Sequence, residues 1–111
     1  MKYFHAHHVN LLQEDIYPSI AFYDDIDDPI DFVILSQDAN NELILTLNDT
    51  DSEFINVIEK IKLLHDTIMI QIKPSHTERV DYDYIEIECD ENMNDIRASL
   101  KIVCQHHNIL M

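Results

Sequence analysis

The chain has 111 residues, of which 46% are hydrophobic; 22 Asp and Glu against 7 Lys and Arg leave a formal charge of −15, and there is no glycine. That is enough apolar material for a core, so residues 1–111 read as a single folded domain and not as a disordered acidic tail. The charge argues against direct contact with DNA, RNA or anionic lipid, and the missing glycine argues against Walker loops, dinucleotide fingerprints and glycine-flanked nucleophile elbows, which need backbone conformations that glycine permits.

The N-terminal MKYFHAHHVN lacks the apolar stretch of a secretory signal, and no apolar run reaches the roughly 18 residues of a membrane helix, so a cytoplasmic location is expected. Within it, His5 and His7 of HAHH would project from one face of a strand and could share Zn²⁺ or Cu²⁺. Two ligands do not make a site, and scattered exposed histidines are the commoner arrangement. No metal and no other cofactor is therefore expected.

Runs with strand character follow at YPSIAFY (17–23), IDFVILS (30–36), LILTLN (43–48), TIMIQIK (67–73) and YDYIEIEC (82–89), with Asn, Asp and Ser in the intervening turns. Leu43, Leu45 and Leu47 share one face, as do Ile68, Ile70 and Ile72, and Ile85, Ile87 and Cys89, the period of strands buried on one side. DSEFINVIEKIKLL (51–64) fits two templates. Phe54, Val57, Ile58, Ile61 and Leu64 form a helical stripe, with Thr50 and Glu53 as a capping box; Ile55, Val57, Ile61 and Leu63 alternate as a strand that His65 and Asp66 would turn into a hairpin. Near the end, Asp90 can cap a helix with Glu91 in its first turn, Ile96, Leu100 and Val103 along one side, and Lys101, His106 and His107 near its C-terminus. Cys89 and Cys104 stand at no metal-like spacing and are expected to be reduced and buried. The fold class is α+β, an antiparallel sheet of about five to six strands with a C-terminal amphipathic helix packed on one face.

Two stretches are candidate contact surfaces. FYDDIDDPID (22–31) holds Asp24, Asp25, Asp27, Asp28 and Asp31, and it belongs to a span between Lys2 and Lys60 that contains 13 carboxylates and no Lys or Arg. It lacks the alternation, central glycine and closing Glu of a calcium loop, which leaves a solvated edge loop or a loop that draws in a cationic partner. In VDYDYIEIE (80–88), Tyr82, Tyr84, Glu86 and Glu88 would line one strand face opposite Ile85, Ile87 and Cys89. Tyrosine anchors beside carboxylates suit a partner rich in Lys and Arg, although an ordinary exposed strand face has the same look. No Ser or Cys has a recognisable base nearby, and no carboxylate pair can be singled out from so many, so the chain does not read as an enzyme.

The order of elements, with IDFVILSQD and NELILTLND after the acidic loop, then IEKIKLL and TIMIQI, and finally IEIECDENMNDIRASLKIV, resembles the polymorphic-toxin immunity proteins, in particular the family called immunity protein ten. The likeness spans roughly residues 17–104 and lies in hydrophobic patterning; the Tyr-Gly-Gly motif frequent in the family has no counterpart here. The resemblance implies a cytosolic antidote that binds and neutralises a cognate basic toxin domain, such as a nuclease of a contact-dependent growth inhibition system, and it favours the hairpin reading of residues 54–72. The charge points the same way, since carboxylates can substitute for phosphates in a cationic groove. The alternative is an acidic nucleic-acid mimic that inhibits a DNA- or RNA-binding protein.

Overall fold

The computed structural model describes residues 1–14, 16–47 and 53–111, with the side chain of Glu14 left out. Among these residues nine strands form: β1 (Lys2–Ala6), β2 (His8–Glu14), β3 (Pro18–Tyr23), β4 (Phe32–Gln37), β5 (Leu43–Leu47), β6 (Glu53–Ile55), β7 (Ile58–Leu63), β8 (Thr67–Ile72) and β9 (Tyr84–Cys89). A short helix α1 (Thr77–Val80) precedes β9, and α2 (Met93–Val103) follows it. The turn NDTDS, with Thr50 of the capping box, lies outside the described residues.

The strands form two sheets. One has the order β1-β9-β8-β7, antiparallel except for β1 alongside β9; the other is an antiparallel meander, β2-β3-β4-β5-β6. The meander is thus inserted between the first and the remaining strands of the four-stranded sheet. The α+β class and the C-terminal helix packed on a sheet agree with the sequence reading. The division into two sheets comes from long-range pairing, which strand periodicity does not encode.

Alternation decides which faces meet. Val33 and Leu35 of β4, Leu43, Leu45 and Leu47 of β5, Ile68, Ile70 and Ile72 of β8, and Ile85, Ile87 and Cys89 of β9 all enter one core shared by both sheets and α2. Each large aliphatic chain taken from water contributes about 1.5–3 kcal/mol. In α2, Ile96, Leu100 and Val103 are buried, and the helix packs on β2, β3 and β4.

Residues 53–55 and 58–63 are strands, and the chain turns at His65 and Asp66 so that β7 pairs with β8. The helical stripe has a structural explanation. The β7–β8 register shifts between Ile58 and Lys60, so Ile58 and Ile61, three apart, are both buried. A bulge adds a residue to one strand and so imitates helical spacing. Leu64, assigned to the helical stripe, is instead exposed.

Among the described residues three turns have a positive φ, and with no glycine available Asn41 (60°), Asn56 (55°) and Asp81 (73°) supply it. These residue types tolerate the left-handed region better than most, and Asn56 is held there by a longer-range contact, accepting the N–H of Leu43 on β5 at 3.0 Å. At the other end of the chain, α2 is capped by Asn92, which accepts the N–H of Asn94 at 2.8 Å; Asp95, not Glu91, is the acid of the first turn. Asp90 does not cap the helix, because its carboxylate is taken by histidines of β1 and the corner after it.

Candidate functional site

The acidic loop joins β3 to β4. Its neck is closed by the Asp24 N–H donating to the Asp31 carbonyl at 3.0 Å. Inside it, Asp24 Oδ1 accepts the N–H of Ile30 at 3.0 Å and Asp25 Oδ1 accepts the N–H of Asp27 at 2.9 Å, the local bonding that makes aspartate a turn former. Asp31 is neutralised from outside the loop, with its Oδ1 2.7 Å from Lys2 Nζ. The Lys2 side chain is 8% exposed, and its ammonium also lies 5.6 Å from the centroid of the Tyr82 ring and 5.8 Å from that of Phe4.

The five aspartates therefore divide by task. Asp24, Asp25 and Asp31 shape and anchor the loop, whereas Asp27 and Asp28 are exposed and in no ion pair among the described residues. On either side of that pair stand two residues the charge reading passed over. Ile26 is 65% and Ile30 is 72% exposed. Ile26 and Pro29 form one side of an open hollow of about 280 Å³, and His8, Asn10 and Tyr23 form the other.

The second candidate surface is smaller than the sequence suggests. Tyr84, Glu86 and Glu88 do share the outer face of β9, but Tyr82 precedes the strand and packs half-buried against the core beneath Lys2. Asp81 in a left-handed conformation turns the chain just before it, so the period-2 pattern begins only at Tyr84. The outer face is also mixed in charge, since the register puts Tyr3 and Met69 beside Glu86 and sets Lys60 and Lys62 on β7, where they border a hollow with Met69, Gln71 and Tyr84.

Glu88 is committed to internal contacts. It accepts the Tyr3 hydroxyl at 3.0 Å, which raises the tyrosine pKa, and it lies 3.3 Å from His5 Nδ1. His5 Nε2 is 2.7 Å from Asp90 Oδ1 and His7 Nδ1 is 3.1 Å from Asp90 Oδ2, with the two imidazole rings stacked at 4.1 Å. Those histidine contacts hold the Asp90 carboxyl below the usual carboxylate range. His107 is engaged elsewhere, bonding the Asn41 carbonyl at 2.9 Å, and joins no such group among the described residues.

β1 links the two regions. Lys2 at its start ties Asp31 to Tyr82, and His5, three residues on, meets Glu88 and Asp90; at about 3.3 Å per residue the two clusters stand roughly 10 Å apart along the strand. The structure thus joins Asp31 with Tyr82 and separates both from Glu88. Cys89 and Cys104 are free and buried, and burial pushes both thiols up to about 12. No helix is long and apolar enough to cross a membrane among the described residues. Comparison with protein-family models, with curated proteins and with solved structures finds no match for the chain.

Proposed function

We propose that the protein is a stoichiometric antidote, an immunity protein that binds a basic toxin domain in the cytoplasm through the loop of residues 24–31. The observation that carries this reading is the pair of exposed isoleucines, Ile26 and Ile30, set among the carboxylates of Asp27 and Asp28. Single exposed apolar side chains are common, Ile16 among them, but two within five residues in a run of carboxylates give this loop a local apolar patch for a partner to cover. Apolar anchors rimmed by charge are the ordinary composition of a protein contact.

The division of labour is physical. Asp27 and Asp28, with the overall charge of −15, accelerate encounter with a cationic surface and give charge-assisted bonds to Lys and Arg. The isoleucines then hold the docked complex, and the neck and Lys2 keep the loop preorganised so that little entropy is lost on binding. Tyr84 and Glu86 on the outer face of β9 are the second contact area. A nuclease domain is the favoured toxin, since it must carry the basic groove that such a surface fits.

The reading is tested by co-expressing the chain with the adjacent reading frame and measuring complex formation and relief of toxicity. A charge mimic of nucleic acid would instead bind many basic nucleic-acid-binding proteins and be indifferent to Ile26→Ser and Ile30→Ser.

A further inference from the structure

We infer that His5, His7 and Asp90 form a binding site for a divalent transition-metal ion of the Zn²⁺ class, independently of the antidote reading. The donor atoms of these three residues all lie within 4.8 Å of one another, although β1, the corner after it and the turn after β9 supply them separately. The stacked rings of His5 and His7 each present a nitrogen to the same carboxylate, at 2.7 and 3.1 Å. Donors bound at about 2.0–2.1 Å around a tetrahedral ion stand about 3.3 Å from one another, so the His5–Asp90 contact opens slightly on binding and the exposed His7 ring rotates out of its stack on His5 to point its nitrogen at the same ion.

A second observation points to the same ligand. The other ring nitrogen of His5 faces Glu88 at 3.3 Å, and Glu88 is itself held by the Tyr3 hydroxyl at 3.0 Å. A carboxylate on the far nitrogen is the usual support of a metal-bound histidine, because it fixes the tautomer that leaves Nε2 free to ligate. With Nδ1 turned to Glu88, Nε2 is the nitrogen on the Asp90 side and the one placed to ligate. Two imidazoles and a carboxylate suit Zn²⁺, Ni²⁺ or Cu²⁺ rather than Mg²⁺ or Ca²⁺, and they leave a coordination position for water.

The test is isothermal titration of tag-free, chelator-stripped protein with ZnCl₂, alongside thermal melts. The site predicts one saturable ion per chain, a melting temperature that rises until one equivalent is bound, and no competition from excess Mg²⁺. His7→Ala and Asp90→Asn, whose side chains are 62% and 61% exposed, should keep the native circular dichroism and lower the affinity at least tenfold. Glu88→Gln retains all three donors and should lower it about tenfold; His106→Ala should leave it unchanged. The inference is overturned if the wild type shows no saturable binding, or if Asp90→Asn binds Zn²⁺ as the wild type does and the histidines and carboxylate form ion pairs only.

Discussion

Lys2 Nζ lies 2.7 Å from Asp31 Oδ1, a pairing that reaches across 29 positions and supplies the cation that the acidic loop lacks in its own sequence. The ammonium is almost fully buried against Phe4 and Tyr82 while Asp31 remains a third exposed, so the two partners depend on the contact unequally.

The expected consequence is an asymmetry in stability. Asp31→Asn leaves a buried ammonium without its counter-ion and should cost on the order of 3 kcal/mol in urea unfolding. Asp27→Asn, at an exposed and unpaired position, should stay within about 0.5 kcal/mol of the wild type. Equal effects would mean that the Lys2 pair does not anchor the loop.

Gln37 of β4 is buried, and its Nε2 donates to the carbonyls of Ile102 and Val103 at 3.0 and 2.9 Å, closing the C-terminal end of α2 from the sheet. Replacing it by Met keeps the volume but removes both donations, and should destabilise the fold by about 1–3 kcal/mol. Hydrogen exchange should show the loss concentrated in the last turn of α2.

The buried thiols predict an alkaline limit. Burial raises Cys89 and Cys104 from 9.0 to about 12, and nearby acidic side chains add to the rise at Cys89. The folded state therefore holds these protons more tightly than the unfolded state. Their contribution is fully present below pH 9 and is lost as the pH climbs from 9 to about 12. Stability should fall over that window by up to about 1.4 kcal/mol per pH unit for each thiol, and Cys104→Ala should remove about half of the slope. Thiol reagents should label neither residue at pH 8 until the protein is unfolded.

In the complex, loop charge and loop isoleucines should act on different rates. Asp27→Lys with Asp28→Lys should slow association with the toxin domain and flatten its dependence on salt, leaving dissociation nearly unchanged. Ile26→Ser and Ile30→Ser should instead speed dissociation, each by about tenfold, with little change in association. Stopped-flow kinetics at two ionic strengths separates the two effects.

Much of the architecture was legible because it rests on local rules. The alternating isoleucines of β8 and β9 announced one-sided strands and the leucines of β5 a strand, although Ile44 among them is buried as well; Asn41 and Asp81 fell in stretches that read as turns, whereas the turn at Asn56 lay inside a stretch that read as continuous. What was hidden depends on distant residues. The bulge that buries both Ile58 and Ile61 forms only against β8, and the parallel pairing of β1 with β9 is what brings His5 to Glu88. Asp90 read as a helix cap because its partners lie more than 80 residues away, and Ile26 went unweighed because its neighbours' charge dominated the loop. A search for large apolar residues inside charged turns would have found both Ile26 and Ile30.

The most direct test of the central claim is a co-expression experiment in which the chain, or its Ile26→Ser, Asp27→Lys, Asp28→Lys, Ile30→Ser variant, is produced with the protein of the adjacent reading frame. The account predicts a stoichiometric complex and restored growth with the wild type, and loss of both with a variant that is still folded. Absence of a complex and of rescue, or rescue that the variant matches, would contradict it.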